Sequence, residues 1–418
     1  MLPLLVFVQN DFGVSTATEA SWITSSWIIG GLVGAVLTYS TFTLAAALSP
    51  NFHVFLVFRA LTSVGVAGEF SSVTASIAEF VPAKHRGKLS VLIQGTWGIG
   101  ALIANLVDIP LVNYLPPHIA WRVGCSIGAF LGLVTMIARR SLPESPRWLL
   151  SKGRKEEAEQ VCLSIEKQCG QPDNAIGIPP KLYEVKESQN FFRQCWTLWT
   201  RLPLQFLFAS VMDLSQTFGG YGMSTFLSLA ILPGIVPDNE VPRFFTISSL
   251  GAFPGVAMSV LLIDWIGRKP LLPMTYALCA LSCYVIFPAY QHGEEVWLTI
   301  ASFFYQVFYT ASWSTGYSIY SELFPTSLRS TGIGMAVAVG RAGGLFAPLA
   351  TTYIYENTGD GRNILGGLLL VIGFFSATVV AAIPWAIFGK EGKGRSLEDL
   401  GGEEVAIEVE QTEKEEKV

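Results

Sequence analysis

The stretch Glu322-Leu-Phe-Pro-Thr-Ser-Leu-Arg329 forms a short charged turn between two apolar segments, and the second segment contains Gly340-Arg-Ala-Gly-Gly-Leu-Phe-Ala-Pro348. A related turn, Glu79-Phe-Val-Pro-Ala-Lys-His-Arg86, occurs 243 residues earlier (322 − 79). Because proline cannot donate to a helical hydrogen-bond ladder, the acid is predicted to end one helix and the arginine to open the next. This repetition predicts a membrane protein built from two related halves.

The composition is that of an integral membrane protein. Of the 418 residues, 51% are hydrophobic and 14% are charged, whereas a soluble domain carries about 25% charged residues. The four histidines are isolated, the six cysteines are scattered, and the sequence has no P-loop, nucleophile elbow or His-Glu-x-x-His motif. The sequence therefore predicts an all-α membrane protein that is not an enzyme and has no metal site or cofactor.

Apolar runs divide the chain into four regions. The first region, 1–138, is predicted to be an N-terminal helix bundle with apolar runs at 22–48, 53–81, 89–115 and 119–138. Residues 139–201 form a basic loop, which the positive-inside rule places in the cytosol. Residues 202–388 are predicted to form a six-helix bundle with runs at 203–232, 244–263, 271–290, 296–323, 330–355 and 364–388. The tail, 389–418, is acidic and is predicted to be disordered and cytosolic.

The first half is predicted to be incomplete. It has 138 residues for the six spans that the repeat requires, whereas the second half places six spans within 203–388. Successive spans alternate in direction, so counting them back from the cytosolic loop places both ends of the run 22–48 on the outer side. A single span cannot join two points on the same side. The simplest interpretation is that most of the first helix and the hairpin between the second and third helices are truncated.

Four motifs in this order resemble the major facilitator superfamily. They are the two charged turns already described, Pro143-Glu-Ser-Pro-Arg147-Trp, and Asp264-Trp-Ile-Gly-Arg268-Lys. Gly65-Val-Ala-Gly-Glu69 and the glycine-rich run at 340–348 resemble the branch of metabolite/proton symporters, organic cation and anion transporters and synaptic-vesicle relatives. The resemblance implies two six-helix halves that transport a small organic solute by alternating access, coupled to protons.

Sugar porters are the nearest competing branch. They usually carry a paired-glutamine motif where this chain has Ser215-Gln-Thr-Phe-Gly-Gly, and a Gly-Pro-x-x-Trp motif where it has Ser314-Thr-Gly-Tyr-Ser. A sugar transporter remains one alternative function. The other is a truncated membrane protein that does not transport, and solute flux into vesicles distinguishes it from a transporter.

Three ionisable residues are predicted near the middle of the membrane. With a helical rise of ~1.5 Å per residue, Glu69, Asp213 and Arg341 lie ~15 to ~18 Å from the predicted helix ends, in a hydrocarbon core about 30 Å thick. A charge at this depth is costly unless it faces a cavity or a partner, so all three are candidate substrate-binding residues. A buried Glu69–Arg341 pair that only aligns helices is the structural alternative. If that pair forms, Asp213 is the acid left to exchange protons.

A second set of candidates is aromatic. Tyr305, Tyr309, Trp313 and Tyr317 are spaced by four residues, which predicts one helical face. Tyr309, Trp313 and Tyr317 are candidates for binding a planar or cationic solute, and Gln94 is a candidate hydrogen-bonding contact. Ordinary helix packing explains the same pattern, and both interpretations stay open.

The charged residues at the cytosolic helix ends are predicted to form a charged latch, a network made in one transport state and broken in another. Its predicted members are Glu79, Arg86, Arg147, Asp264, Arg268, Glu322 and Arg329. The predicted partners of the protein are a small organic solute, protons and the lipid bilayer, with no nucleic acid, and the predicted location is the plasma membrane.

Overall fold

The computed structural model describes residues 36–63, 83–139, 155–168, 191–233, 235–324, 328–357 and 364–388. The predicted truncation concerns the start of the chain and the run 22–48, of which the structure describes only 36–48, so it stays a prediction. Before residue 202 the described chain forms six helices, which are α1 (Val36–Ala47), α2 (Phe52–Ser63), α3 (Ala83–Tyr114), α4 (Pro117–Arg139), α5 (Lys155–Gln168) and α6 (Phe191–Arg201).

The predicted apolar runs after residue 202 all appear as helices. These are α7 (Pro203–Phe226, extended by a π-helical turn, Leu227–Ile231), α8 (Val241–Ser249), α9 (Ala252–Trp265), α10 (Arg268–His292), α11 (Glu295–Leu323), α12 (Arg329–Asn357) and α13 (Ile364–Phe388). One predicted run, 244–263, is divided between α8 and α9. At the division, a Cβ on Gly251 would lie 2.5 Å from the carbonyl oxygen of Phe303, so the glycine allows this chain to approach the α11 backbone.

Two glycines with positive φ shape the ends of α10. Gly267, with φ 86°, precedes the helix within the motif that begins at Asp264, and Gly293, with φ 68°, ends it in the left-handed region. Glycine reaches this region without the steric cost that a Cβ imposes. The turn motif recognised in the sequence thus has a local backbone reason for its glycine.

The main core lies in the second half of the chain, where α7, α10, α11 and α13 meet. Met212, Phe226, Tyr276 and Phe375 are fully buried there. A smaller core in the first half joins α1, α2 and α4, and its Phe55 and Trp121 rings meet edge to face at 5.3 Å. Each core thus packs one group of helices together, one group in the first half of the chain and the other in the second half.

Helix α3 connects the two groups. The Asn105 side-chain amide donates to the Phe245 carbonyl at 3.2 Å and to Ser249 Oγ at 3.3 Å. Gly98 faces Ala252 so closely that an added Cβ would lie 2.6 Å from the Ala252 Cβ. Close backbone approach and a buried hydrogen bond therefore fix α3 against α8 and α9.

Among the described residues, six helical segments are long and apolar enough to cross a membrane. These segments are Gly95–Tyr114, Pro117–Thr135, Val241–Ile263, Arg268–His292, Thr331–Glu356 and Ile364–Trp385. Helices α7 and α11 are also long, but buried polar residues such as Asp213, Gln216 and Ser312 reduce their hydropathy. Polar residues at membrane depth normally face the interior of a bundle or a cavity, so α7 and α11 are the helices that carry the candidate site.

Candidate functional site

The aromatic residues of α11 form a continuous stripe. Tyr305 and Tyr309 stack with ring centroids 5.6 Å apart, Tyr309 and Trp313 lie 6.1 Å apart, and Trp313 and Tyr317 stack at 5.2 Å. The prediction that these four residues share one face is confirmed. Tyr305 is buried, whereas Tyr309, Trp313 and Tyr317 are partly exposed, and Tyr309 and Tyr317 also pack against the main core.

Tyr320 joins the end of this stripe to Asp213. Its ring meets Tyr317 edge to face at 5.2 Å, and its hydroxyl donates to Asp213 Oδ1 at 2.8 Å. Asp213 is 2% exposed. Within the described part of the chain, its other carboxylate oxygen, Oδ2, has no hydrogen-bond partner. A buried oxygen left in this way is costly when the carboxylate is ionised, and the cost falls when the group is protonated.

Helices α7 and α12 pack closely against each other at this carboxylate. A Cβ built on Gly340 would lie 1.7 Å from Asp213 Oδ2 and 2.8 Å from the Asp213 Cβ. One turn further along α7, the Thr217 hydroxyl donates to the Gly340 carbonyl. Position 340 thus lets the backbone of α12 rest against the Asp213 side chain.

Arg341 follows Gly340 and occupies a different environment from Asp213. Its side chain is partly exposed, and Nη1 donates to the Tyr221 hydroxyl at 3.3 Å. The guanidinium also interacts electrostatically with Tyr317 and Asp213. A partly exposed cation is therefore held at Tyr221 and interacts with Tyr317 of the stripe, whereas the acid Asp213 is buried.

A second polar cluster lies between α7, α10 and α11. The Tyr276 hydroxyl donates to Gln216 Oε1, and Gln216 Nε2 donates to Ser312 Oγ at 3.4 Å. The Cys279 thiol donates to the same Ser312 oxygen at 3.8 Å. Because these buried groups satisfy one another, the cluster holds the three helices together.

The glycine pair in α7 is a site of close packing. A Cβ on Gly219 would lie 2.1 Å from the Phe375 ring, and one on Gly220 would lie 1.8 Å from the Tyr309 hydroxyl oxygen. The helix stays continuous through the pair. A glycine pair can loosen a helix and act as a hinge, but the close contacts and the continuous helix here favour a packing role.

The predicted latch residues are only partly described. Arg268 opens α10 and is 8% exposed, so its side chain is held against the protein. Arg86 lies in the first turn of α3, and Arg329 opens α12. Asp264 and Glu322 lie in the last turns of α9 and α11. Because α9, α10, α11 and α12 follow one another through short connections, these helix ends share one side of the bundle, and the latch stays a prediction.

The remaining predicted residues lie outside what the structure describes or only their backbone is described. Glu69, Glu79 and Arg147 fall outside the described residues, so the proposed Glu69–Arg341 pair also stays a prediction. Gln94 lies within α3, and only its helical backbone is described.

An apolar groove of about 650 Å³ lies between α10 and α11. Its lining includes Val285, Trp297, Ile300 and Phe304, which are 43–56% exposed. Trp297, Ile300 and Phe304 lie on a different face of α11 from the aromatic stripe. The groove is therefore separate from the Asp213 region.

The sequence left three residues of this region unassigned. Tyr320 lies three residues after Tyr317, so it falls outside the strict spacing of four although i,i+3 residues also share a helical face. Gln216 and Tyr276 become candidates only through their mutual hydrogen bond, which joins residues 60 apart in the chain. Allowing a spacing of three as well as four residues would have predicted Tyr320, but no spacing within one helix would have predicted Gln216 or Tyr276.

Comparisons with known proteins agree with this architecture. The sequence profile of the family described as "Sugar (and other) transporter" matches residues 6–402. A niacin transporter, NiaP, of Acinetobacter baylyi is 29% identical over 422 residues, which cover 95% of this chain and 91% of the relative. Organic cation/carnitine transporter 7 of Arabidopsis thaliana is 24% identical over 418 residues, covering 88% of this chain and 79% of the relative.

Solved structures show the same fold. A structure of the major facilitator superfamily proton:xylose symporter XylE superposes with a TM-score of 0.71 and 17% identity, covering 96% of this chain and 94% of that chain. The predicted all-α major facilitator fold is confirmed. Members of this superfamily are transporters and not enzymes, and a plasma-membrane location is consistent with the bacterial relative.

The profile match over nearly the whole chain, the helical fold and the buried polar residues on α7 and α11 lead to one assignment. The chain belongs to the sugar (and other) transporter family of the major facilitator superfamily, and it is an integral, multi-pass membrane transporter.

Proposed function

We propose that the chain transports a planar aromatic carboxylate by alternating access and that proton movement drives its accumulation. The observation that carries this proposal is the placement of opposite charges around the aromatic stripe. Partly exposed Arg341 interacts electrostatically with Tyr317 of the stripe, whereas Asp213 is buried behind Tyr320. A solute at the stripe therefore finds Arg341 more accessible than Asp213.

The aromatic stripe supports a planar solute. Partly exposed rings at Tyr309, Trp313 and Tyr317 present flat faces along one side of α11. Aromatic groups gain from offset stacking and edge contacts with such faces. A hexose gains less from this surface, and the Gln216–Ser312 cluster that offers polar groups nearby is already hydrogen-bonded internally.

The charge of the solute follows from accessibility. Arginine presents several donors in a planar fork that matches a carboxylate. Arg341 makes a 3.3 Å bond to the Tyr221 hydroxyl, which leaves further donors for a ligand. Asp213 is too deeply covered to bind an organic cation directly without a rearrangement of Tyr320. These contacts favour an organic anion over an organic cation.

One relative supports the same class of solute. It is named as a niacin transporter, and niacin is an aromatic acid. Another is named as an organic cation/carnitine transporter, and an organic cation is the competing solute class in the binding test below. The proposal for this chain is therefore a nicotinate-like acid, with Arg341 holding the carboxylate and Trp313 contacting the ring.

Asp213 is proposed as the proton-binding group. A protonated Asp213 is neutral, which reduces its repulsion of an incoming carboxylate and weakens its electrostatic hold on Arg341. Solute and proton then favour each other's binding, and this reciprocity is the requirement for coupling. The charged latch at the helix ends is proposed to bias the two transport states.

We expect Trp313→Ala to weaken nicotinate binding by roughly tenfold, because an aromatic contact and its buried area are lost. Isothermal titration of the purified protein in detergent measures this change. Trp297→Ala is the matched control, since Trp297 is 56% exposed on another face of the same helix. Equal losses in both variants would contradict a ring-binding role for the stripe.

We expect Arg341→Gln to weaken nicotinate binding by roughly 10- to 100-fold, because a hydrogen-bonded charge partner is worth about 1.5–3 kcal/mol. Binding of neutral nicotinamide should change much less. Arg243→Gln is the control, since Arg243 is an exposed arginine that pairs with Glu240 at 3.1 Å. If tetraethylammonium or xylose binds the wild-type protein more tightly than nicotinate, the proposed solute class is wrong.

A further inference from the structure

Helix α6 has three chemically distinct stripes. Leu198 is fully buried and Leu202, just beyond the helix, is 7% exposed, so this stripe faces the protein. Trp196 and Trp199 are 70% and 61% exposed and share a second face. The third stripe carries the basic residues Arg193 and Arg201, both exposed, with Thr197 between them.

The position of α6 places these stripes at the end of a membrane span. Only Leu202 separates α6 from α7, and the Trp199 ring meets Phe206 of α7 edge to face at 5.9 Å. The first turns of α7 expose Leu204 and Leu207, which begins its lipid-facing surface at the same level. The exposed tryptophans therefore lie where the apolar surface of the bundle begins.

This combination has a recognised physical meaning. Tryptophan concentrates at the boundary between headgroups and acyl chains, because its ring is apolar and its indole N–H is polar. Arginines beside such rings are attracted to anionic lipids. The sequence has no acidic residue between Glu187 and Asp213, so α6 itself carries only positive charge.

We propose that α6 is an interfacial helix that binds the headgroups of anionic phospholipids through Arg193 and Arg201, with Trp196 and Trp199 inserted at the headgroup boundary. The leaflet is the one at the α7 N-terminus, which the charge distribution predicts to be cytosolic. This lipid site is separate from the solute site on α11 and does not depend on the identity of the solute.

The site is connected to a helix of the transport machinery. The Thr331 hydroxyl, in the first turn of α12, donates to the Gln194 side-chain oxygen of α6. Thr331 lies two residues after Arg329, a predicted member of the charged latch. A lipid bound on α6 is thus joined through one hydrogen bond to the helix that carries Gly340 and Arg341.

Photo-crosslinking of lipids tests the proposal at the helix itself. The full-length protein is reconstituted in phosphatidylcholine bilayers with a trace of photoreactive phosphatidylglycerol or photoreactive phosphatidylcholine. Mass spectrometry then quantifies crosslinks to the peptide that contains residues 191–201. The peptide containing Leu204 and Leu207 serves as the internal reference, because its apolar surface contacts both lipids.

We expect the wild-type protein to crosslink phosphatidylglycerol in preference to phosphatidylcholine at α6. Each substitution, Arg193→Gln or Arg201→Gln, should reduce the preference by about fivefold. Arg193→Lys should retain it, and Arg243→Gln should leave it unchanged. Raising the salt from about 0.1 M to about 1 M should also reduce it, because the screening length falls from about 10 Å to about 3 Å.

Trp196→Ala tests the second part of the proposal. It should lower crosslinking of both lipids at α6 while the ratio between them persists. The proposal is overturned if wild-type α6 shows no preference for phosphatidylglycerol, or if the preference survives removal of both arginines. Labelling of the α7 reference peptide without labelling of α6 would also overturn it, since α6 would then lie away from the bilayer.

Discussion

Asp213→Asn is expected to abolish accumulation of nicotinate driven by a pH gradient, while nicotinate exchange down its own gradient continues. Asparagine mimics the neutral, protonated carboxyl but cannot release a proton. In electroneutral symport of one proton with one anion, each pH unit supports about tenfold accumulation. The accumulation ratio of the variant should therefore fall to about one at every imposed gradient.

Binding by the same variant should lose its pH dependence. In the wild-type protein, affinity for nicotinate should rise as pH falls, because protonation of Asp213 removes a negative charge beside Arg341. The asparagine variant should bind at high pH as tightly as the wild-type protein binds at low pH. Titration across pH and counterflow in proteoliposomes measure the two effects separately.

Two further variants serve as controls for this prediction. Tyr320→Phe removes the 2.8 Å hydrogen bond to Asp213 and should shift the pH dependence without abolishing accumulation. Asp238→Asn changes an exposed acid in the loop before α8 and should alter neither measurement. If Asp213→Asn accumulates nicotinate with unchanged pH dependence, Asp213 is not the coupling residue.

Gly340→Ala is expected to destabilise the protein by about 1–3 kcal/mol, the usual cost of forcing extra volume into a packed interface. Its methyl group would lie 1.7 Å from Asp213 Oδ2 and 2.8 Å from the Asp213 Cβ, so rotation of the carboxylate alone cannot relieve the contact. Helices α7 and α12 must separate. Thermal unfolding in detergent measures the loss as a lower melting temperature.

Gly334→Ala is the matched control on α12, because among the described residues nothing lies within 4 Å of a Cβ built at Gly334. It should be neutral or slightly stabilising, since alanine favours helix over glycine. Combining Gly340→Ala with Asp213→Ala removes most of the conflicting atoms, so the double variant should lose less stability than the sum of the single variants. Equal melting temperatures for Gly340→Ala and Gly334→Ala would show that the two helices do not touch there.

Taken alone, the sequence was sufficient for the local features of this protein. The charged turns, the six apolar runs after residue 202 and the stripe from Tyr305 to Tyr317 are all visible in it. Each depends on residues within one or two helical turns of each other, or on where proline and glycine interrupt a helix. Gly267, the residue before Arg268, is also a local feature, because its positive φ is a requirement of the turn in which it lies.

Only the tertiary structure decided which of these residues act together. The Asp213–Tyr320 bond joins residues 107 apart, and the contact between Asp213 and Gly340 depends on how closely α7 and α12 pack. The sequence placed Asp213 and Arg341 at similar depths, whereas the structure buries the first and leaves the second partly exposed. Burial depends on how each helix is rotated against its neighbours, and helical periodicity within one segment does not specify that rotation.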